Sequence, residues 1–302
     1  MSQVDIFSPF RRRSEQHEDR LTWGLMVALK YSPELQRFLR RLVLSRIPRE
    51  RWPDLSGWDP AAVSTQTASV GAEAAFVVSV LISDVSLVGA VEVEKADRVA
   101  RYDGVVEYPD GLVLIIENKP RSTDVWTGQL SPSSESFKDS PDDVELYEKA
   151  VSLEWAEILE GVLGYTGSLV APYAERGIAG DFLSFVEELH PSLSPYRTFH
   201  LCGDRPEALA RRIEGLFASM GRGLGFEVGT RPGAIAYLRL PNEVVRQVHI
   251  TAEKGRDQEE AVLRQSIWPG ESRASWHRWG VGWTSRLVPG LAPRLTCVFP
   301  TR

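Results

Sequence analysis

The chain has 302 residues, 43% of them hydrophobic and 25% charged, with a formal net charge of −6. That is enough apolar material for a real core in one large or two ordinary domains, and the negative balance excludes an indiscriminate polyanion binder without excluding a local basic track. No apolar run reaches the roughly 18 residues of a membrane span, the start lacks the apolar stretch of a secretory leader, and Cys202 and Cys297 stand far apart in no metal-ligand spacing, so neither a membrane nor a zinc site is expected and the expected setting is the reducing cytoplasm.

Ser14 to Lys30 reads as an amphipathic helix with Ser14 as its N-cap and Glu15, Glu18 and Asp19 in its first turns. Glu18, Leu21, Leu25 and Leu29 follow helical spacing, which puts Glu18 at the edge of the inward stripe. Pro33 opens a second helix running to about Leu44. Pro48, Pro53, Gly57 and Pro60 break the next stretch into a loop with Trp52 and Trp58 as anchors. Ala61–Ala68 has strand character, and Glu73–Ser83 is a buried strand or a short helix, since periodicity does not separate the two. Leu87–Glu94 alternates as a strand. Residues 1–52 carry eleven Lys/Arg against six Asp/Glu, whereas the region from Asp103 to Glu160 is acidic.

The most informative stretch is RYDGVVEYPDGLVLIIENKP, residues 101–120. It reads as two strands, Arg101–Tyr108 and Leu112–Lys119, joined by Pro109-Asp110-Gly111. Proline fixes the first turn residue and glycine supplies positive φ, and a three-residue loop of this type is common in hairpins. The loop sets Tyr108 opposite Leu112 and, counting back, Asp103 opposite Glu117. Side chains alternate along a strand, so Asp103, Glu117 and Lys119 share one face while Asn118 points to the other. Two carboxylates and an ammonium ending an apolar strand are costly to bury unless they serve one another or a metal. Pro109-Asp110 belongs to the turn, too close to Glu117 to occupy the neighbouring strand position.

Asp103-Gly104 on one strand and Glu117-Asn118-Lys119 on the next resemble the active-site pattern of the PD-(D/E)XK nuclease superfamily. The resemblance covers the hairpin well and its flanking helices loosely. It implies an α/β protein with the restriction-endonuclease-like αβββαβ core, a mixed central sheet flanked by helices, and hydrolysis of phosphodiesters, in DNA rather than RNA, in phage defence or DNA repair. It implies Mg2+ (or Mn2+) held by Asp103 and Glu117, with the backbone carbonyl of Asn118 and the carboxylate of Glu18 as further ligands, and Lys119 as the group that orients water and stabilises charge on phosphorus. Glu73, Glu92 and Glu94 are reserve carboxylates. Cutting both strands of a duplex would favour a homodimer. The alternative is a catalytically silent nucleic-acid-binding or scaffolding protein on the same fold.

The polar segment after Lys119 reads as a long loop of the kind that is often functional. Arg121, Trp126 and Gln129 are its candidate substrate contacts: Trp126 to stack on a base or to pin the loop, and Gln129 because related nucleases carry a glutamine at a similar distance from the motif, although Pro132 would cut short the helix it usually sits on. Helices are expected from Val144 to about Leu163 and from Ile178 to His190. Tyr196–Cys202 reads as a strand followed by a helix to Met220. The nuclease-like domain is expected to span residues 1–220.

Residues 221–302 read as a β-rich α+β extension for substrate or partner, with strand-like runs Gly225–Thr230, Ala234–Leu240, Arg246–Ala252 and Thr296–Phe299 and a helix around Gln258–Ser266. Trp268, Trp276, Trp279 and Trp283 lie among Arg273, His277 and Arg278. Such a cluster is either a stacking platform for bases or, the favoured reading, a small β-rich core. No dinucleotide fingerprint, Walker motif, HExxH or G-x-S-x-G elbow is present.

Overall fold

The computed structural model describes residue 7 and residues 17–52, 60–71, 73–87, 91–97, 99–138, 140, 144–166, 172–202, 205, 207–209, 211–212 and 215, together with the backbone of six later strands. Ser14, Glu15, Trp58, Arg273, Trp276, His277 and Arg278 lie outside the described residues. The chain divides into two compact units at Ser194/Pro195, ahead of the boundary expected at 220.

The first unit is α/β, built on a mixed, open six-stranded sheet flanked by helices. Its elements in chain order are α1 (His17–Tyr31), α2 (Pro33–Leu44), β1 (Ala62–Thr67), β2 (Phe76–Ser83), β3 (Tyr102–Glu107), β4 (Leu112–Asn118), β5 (Glu145–Leu146), β6 (Val151–Glu154), α3 (Trp155–Thr166) and α4 (Tyr173–Leu189). Strand order is β1-β3-β4-β2-β5, with β6 also pairing β2. β3 pairs antiparallel with both β1 and β4, whereas β2 runs parallel to β4, β5 and β6.

Local chemistry explains most elements. Ser32 caps α2, its Oγ accepting from Leu35 N–H at 3.3 Å, and Pro33 takes the first turn, where its missing N–H costs nothing. Strand β2, FVVSVLIS, is buried at every position, as is β4, LVLIIEN. Such continuous apolar runs suit strands covered on both faces. In the hairpin, Tyr108 N–H donates to Leu112 O at 2.8 Å and Gly111 N–H to Tyr108 O at 3.0 Å, with Gly111 at φ 83°. A Cβ at Gly111 would also lie 2.8 Å from that of Ala75. Gly111→Ala is therefore expected to cost about 1–2 kcal/mol from backbone conformation alone, and more from crowding. Urea unfolding checks this, and an unchanged midpoint would contradict the turn geometry.

The alternate residues of β3 and β4 meet different layers. Gly104 lets Met26 of α1 approach closely, since a Cβ there would lie 2.7 Å from the Met26 thioether. Tyr108 donates its hydroxyl to Gln36 O of α2 at 2.9 Å, and burial pushes its phenol pKa up despite the opposing Arg40 guanidinium. Arg40 also pairs with Asp110. On the opposite face Val105, Val113 and Ile115 join Val77, Phe137 and Val144 in one apolar cluster, and Leu81, Val93 and Leu130 form another. Irregular chain and short 3-10 turns cover this second face.

Several expected elements form differently. Within 87–94, Glu92 makes an isolated bridge to Lys149, and no strand forms among the described residues. The expected helix from Val144 begins only at Trp155, because Glu145–Leu146 and Val151–Glu154 pair with β2 instead.

In the second unit, Phe199–Cys202 is a short helix, α5, where a strand was expected, and residues 207–209, 211–212 and 215 are helical. Six strands follow: β7 (Glu227–Arg231), β8 (Ile235–Arg239), β9 (Gln247–Lys254), β10 (Ala261–Trp268), β11 (Trp279–Leu287) and β12 (Arg294–Val298). They form an antiparallel sheet in sequence order. The helix expected around Gln258–Ser266 is strand β10, paired on both sides.

Candidate active site

Antiparallel register runs from Glu107↔Val113 to Gly104↔Ile116. One step further along the same register Asp103 meets Glu117. The Asn118 backbone N–H donates to Asp103 Oδ2 at 3.0 Å, which fixes that carboxylate at the end of β4. Lys119 Nζ lies 3.1 Å from Glu117 Oε1, with the two side chains 12% and 10% exposed. A carboxylate this buried, ending a fully buried strand, is tolerated because a cation stands beside it.

Asn118 faces the helical layer, as alternation requires. It is fully buried, its Nδ2 donating to Thr22 Oγ1 at 2.9 Å and its Oδ1 accepting from Trp155 Nε1 at 3.0 Å. Its amide thus ties β4 to α1 and α3 and takes no part in the acidic face. Glu18 lies in the first turn of α1, one turn before Thr22, and its side chain is outside what the structure describes.

The site sits at the carboxyl ends of two neighbouring parallel strands. Leu81 and Ile82 of β2 stand level with Glu117 and Asn118, and Lys119 N–H donates to Ile82 O at 2.8 Å. From these adjacent carboxyl ends the chain leaves β2 for β3, which lies beyond β4, and leaves β4 for β5, which lies beyond β2. The carboxyl ends of the strands are the usual ligand position in open α/β sheets. Two clefts open elsewhere among the described residues, one of about 370 Å³ beside Glu107 and Pro109 and one of about 220 Å³ beside Arg46 and Lys149.

The loop after Lys119 is ordered by short turns, Ser122–Asp124 and Thr127–Leu130. Leu130 packs with Leu81, the register partner of Glu117, so the second turn is held beside the carboxylates. Arg121 and Trp126 are exposed, Trp126 at 64%, and Gln129 is half-buried in a 3-10 turn rather than a helix.

Asp84 is a residue that sequence reasoning missed. It follows β2 directly, and its Oδ1 accepts from Ser122 N–H at 2.7 Å. The one available signal was an acid closing an apolar run. Asp84→Ala is expected to leave global stability nearly unchanged, because the bond is exposed, while speeding proteolysis within 120–131. Equal cutting rates for the two proteins would contradict that role.

Among the described residues, no group of three or more His, Cys, Asp or Glu side chains is arranged to hold a metal. The donor set is two hard carboxylates with an ammonium beside them. Mg2+ suits such a set, because it commonly takes one or two carboxylates and fills its remaining positions with water and substrate phosphate. Comparison of the chain with protein-family models, curated proteins and solved structures finds no match.

Proposed function

We propose that the chain is a metal-dependent nuclease with a restriction-endonuclease-like first unit, acting on phosphodiesters of DNA in preference to RNA. The observation that carries this reading is the register that brings Asp103 level with Glu117 and places Lys119 3.1 Å from Glu117. A Mg2+ or Mn2+ ion held by Asp103 and Glu117 would polarise the scissile phosphate and acidify a bound water. Lys119 then holds positive charge where negative charge builds on the phosphoryl oxygens. Asp103 stays oriented through the Asn118 amide, and the Asn118 side chain stiffens the strand end from below. Arg121, Trp126 and Gln129 lie on the loop that follows β4 and Lys119 and are the candidate contacts to the rest of the substrate. Phage defence or DNA repair in the cytoplasm, with a homodimer if both strands are cut, is the setting this chemistry suits.

The test is incubation of labelled plasmid, linear duplex and single-stranded substrates with and without Mg2+. Cleavage that needs the ion supports the proposal, and its absence on every substrate overturns it.

A second reading, a nucleic-acid-binding scaffold without catalysis, is favoured by the lack of a third metal-type donor among the described residues. Calorimetric titration with Mg2+ or Mn2+ separates the two. Binding weakened by Asp103→Asn supports the nuclease, and no binding supports the scaffold.

A further inference from the structure

The second unit has its own pattern. Register through the six strands sorts their residues onto two faces. One face carries Leu238, Ile250, Leu263, Trp279, Trp283 and Leu295, with Lys254 as its one charged residue. The other carries every arginine within the strands: Arg231, Arg239, Arg264, Arg286 and Arg294, against two acids, Glu227 and Glu253. In a chain of net charge −6 this segregation is a local inversion of sign. The tryptophans split as well, Trp279 and Trp283 to the apolar face and Trp268 to the arginine face with Tyr237.

Placement within the basic face is uneven. Arg239 stands opposite Glu227. Arg286 stands directly opposite Arg294, and Arg264, level with Thr284, is the diagonal neighbour of Arg286. Like charges directly opposite on a sheet are destabilising; Glu253 is the diagonal neighbour of Arg264, but the strands place no acid next to the Arg286–Arg294 pair. An anion shared by the three removes that cost. Strands are spaced about 4.8 Å apart, so the arginines recur across roughly 24 Å from β7 to β12. A repeating polyanion matches this, and aromatics among the cations suit unpaired bases better than an acidic peptide.

We propose that this face of the second unit is a docking surface for a single nucleic-acid strand, with Arg264, Arg286 and Arg294 as its phosphate-binding centre. The proposal rests on the nucleic-acid part of the reading above and is independent of cleavage. The test uses the full chain in EDTA and a labelled single-stranded oligonucleotide of about 20 nucleotides, long enough for one site, with affinity measured against salt. Each phosphate contact to a single strand contributes about 0.7 to the slope of log K against log salt. Arg264→Gln/Arg286→Gln/Arg294→Gln should reduce the slope by about two and weaken binding more than tenfold. Arg294→Gln alone removes the like-charge opposition, should fold at least as well as wild type, and should lower the slope by about 0.7.

An unchanged slope in the single variant overturns the proposal, whether or not the wild-type chain cleaves in Mg2+. A reduced slope supports it, again whether or not the chain cleaves, so the two readings fail separately. Displacement of the oligonucleotide by polyglutamate but not by unlabelled strand overturns it in favour of an acidic protein partner.

Discussion

Lys119→Ala is expected to lower Mg2+-dependent cleavage by at least about 10²–10³-fold, the range seen when one preorganised charge-stabilising group is removed. The ammonium sits 3.1 Å from the Glu117 carboxylate and is only 12% exposed, so solvent screens it little. Water entering the truncated site cannot reproduce a fixed positive charge at that position. Lys119→Arg keeps the charge but replaces a compact ammonium with a planar fork, and is expected to recover only part of the rate. Oligonucleotide affinity in EDTA should change little, which separates loss of chemistry from loss of binding. Full activity of Lys119→Ala in a metal-supplied assay would remove Lys119 from the mechanism.

Asn118→Ala should be the costliest substitution in the motif for stability. The side chain has no exposed surface, and both its amide atoms are bonded, to Thr22 on α1 and to Trp155 on α3. Truncation leaves a hydroxyl and an indole N–H without those bonds in a dry layer. Each such loss costs about 1–3 kcal/mol, so an overall loss of about 2–5 kcal/mol is expected. Chemical denaturation of Asn118→Ala, Trp155→Phe and the double variant measures it. If the indole bond matters, the two effects are less than additive in that cycle. Additive effects would show that Asn118 and Trp155 act independently.

The contrast between neighbouring motif residues explains what could be read in advance. The hairpin register follows from local chemistry, a turn that needs Gly111 and a side-chain period of two, and it carries Asp103, Glu117 and Lys119 to one face without knowledge of the rest of the fold. The same alternation sends Asn118 to the opposite face but does not say what waits there. Thr22 lies 96 residues away and Trp155 lies 37. The segment after Val144 failed for a related reason. Leu146, Ala150 and Leu153 have helical spacing, yet Val151 and Leu153 alternate into the core beside β2, 70 or so residues earlier in the chain. Leu87–Glu94 shows the reverse case: its alternation suited a strand, but among its described residues only a single bridge forms. In the second unit, strand-like runs were legible while the face each residue joins was not, because one pairing offset would exchange the arginines with the leucines.

The margin of the first sheet opposite β1 has a consequence for assembly. It is not one long strand but two pieces, Glu145–Leu146 and Val151–Glu154, both drawing on β2. The gap between them carries Glu148, and Arg51 Nη2 lies 3.0 Å from both Glu145 Oε1 and Glu148 Oε2. At the other margin, β1 skips a pairing at Gln66, which has φ 53°. Short, charged or kinked borders present no continuous row of amides and carbonyls to another chain. Two copies of the first unit are therefore not expected to join by extending their sheets into one another. A pairing of copies is then expected through side chains rather than through strand edges.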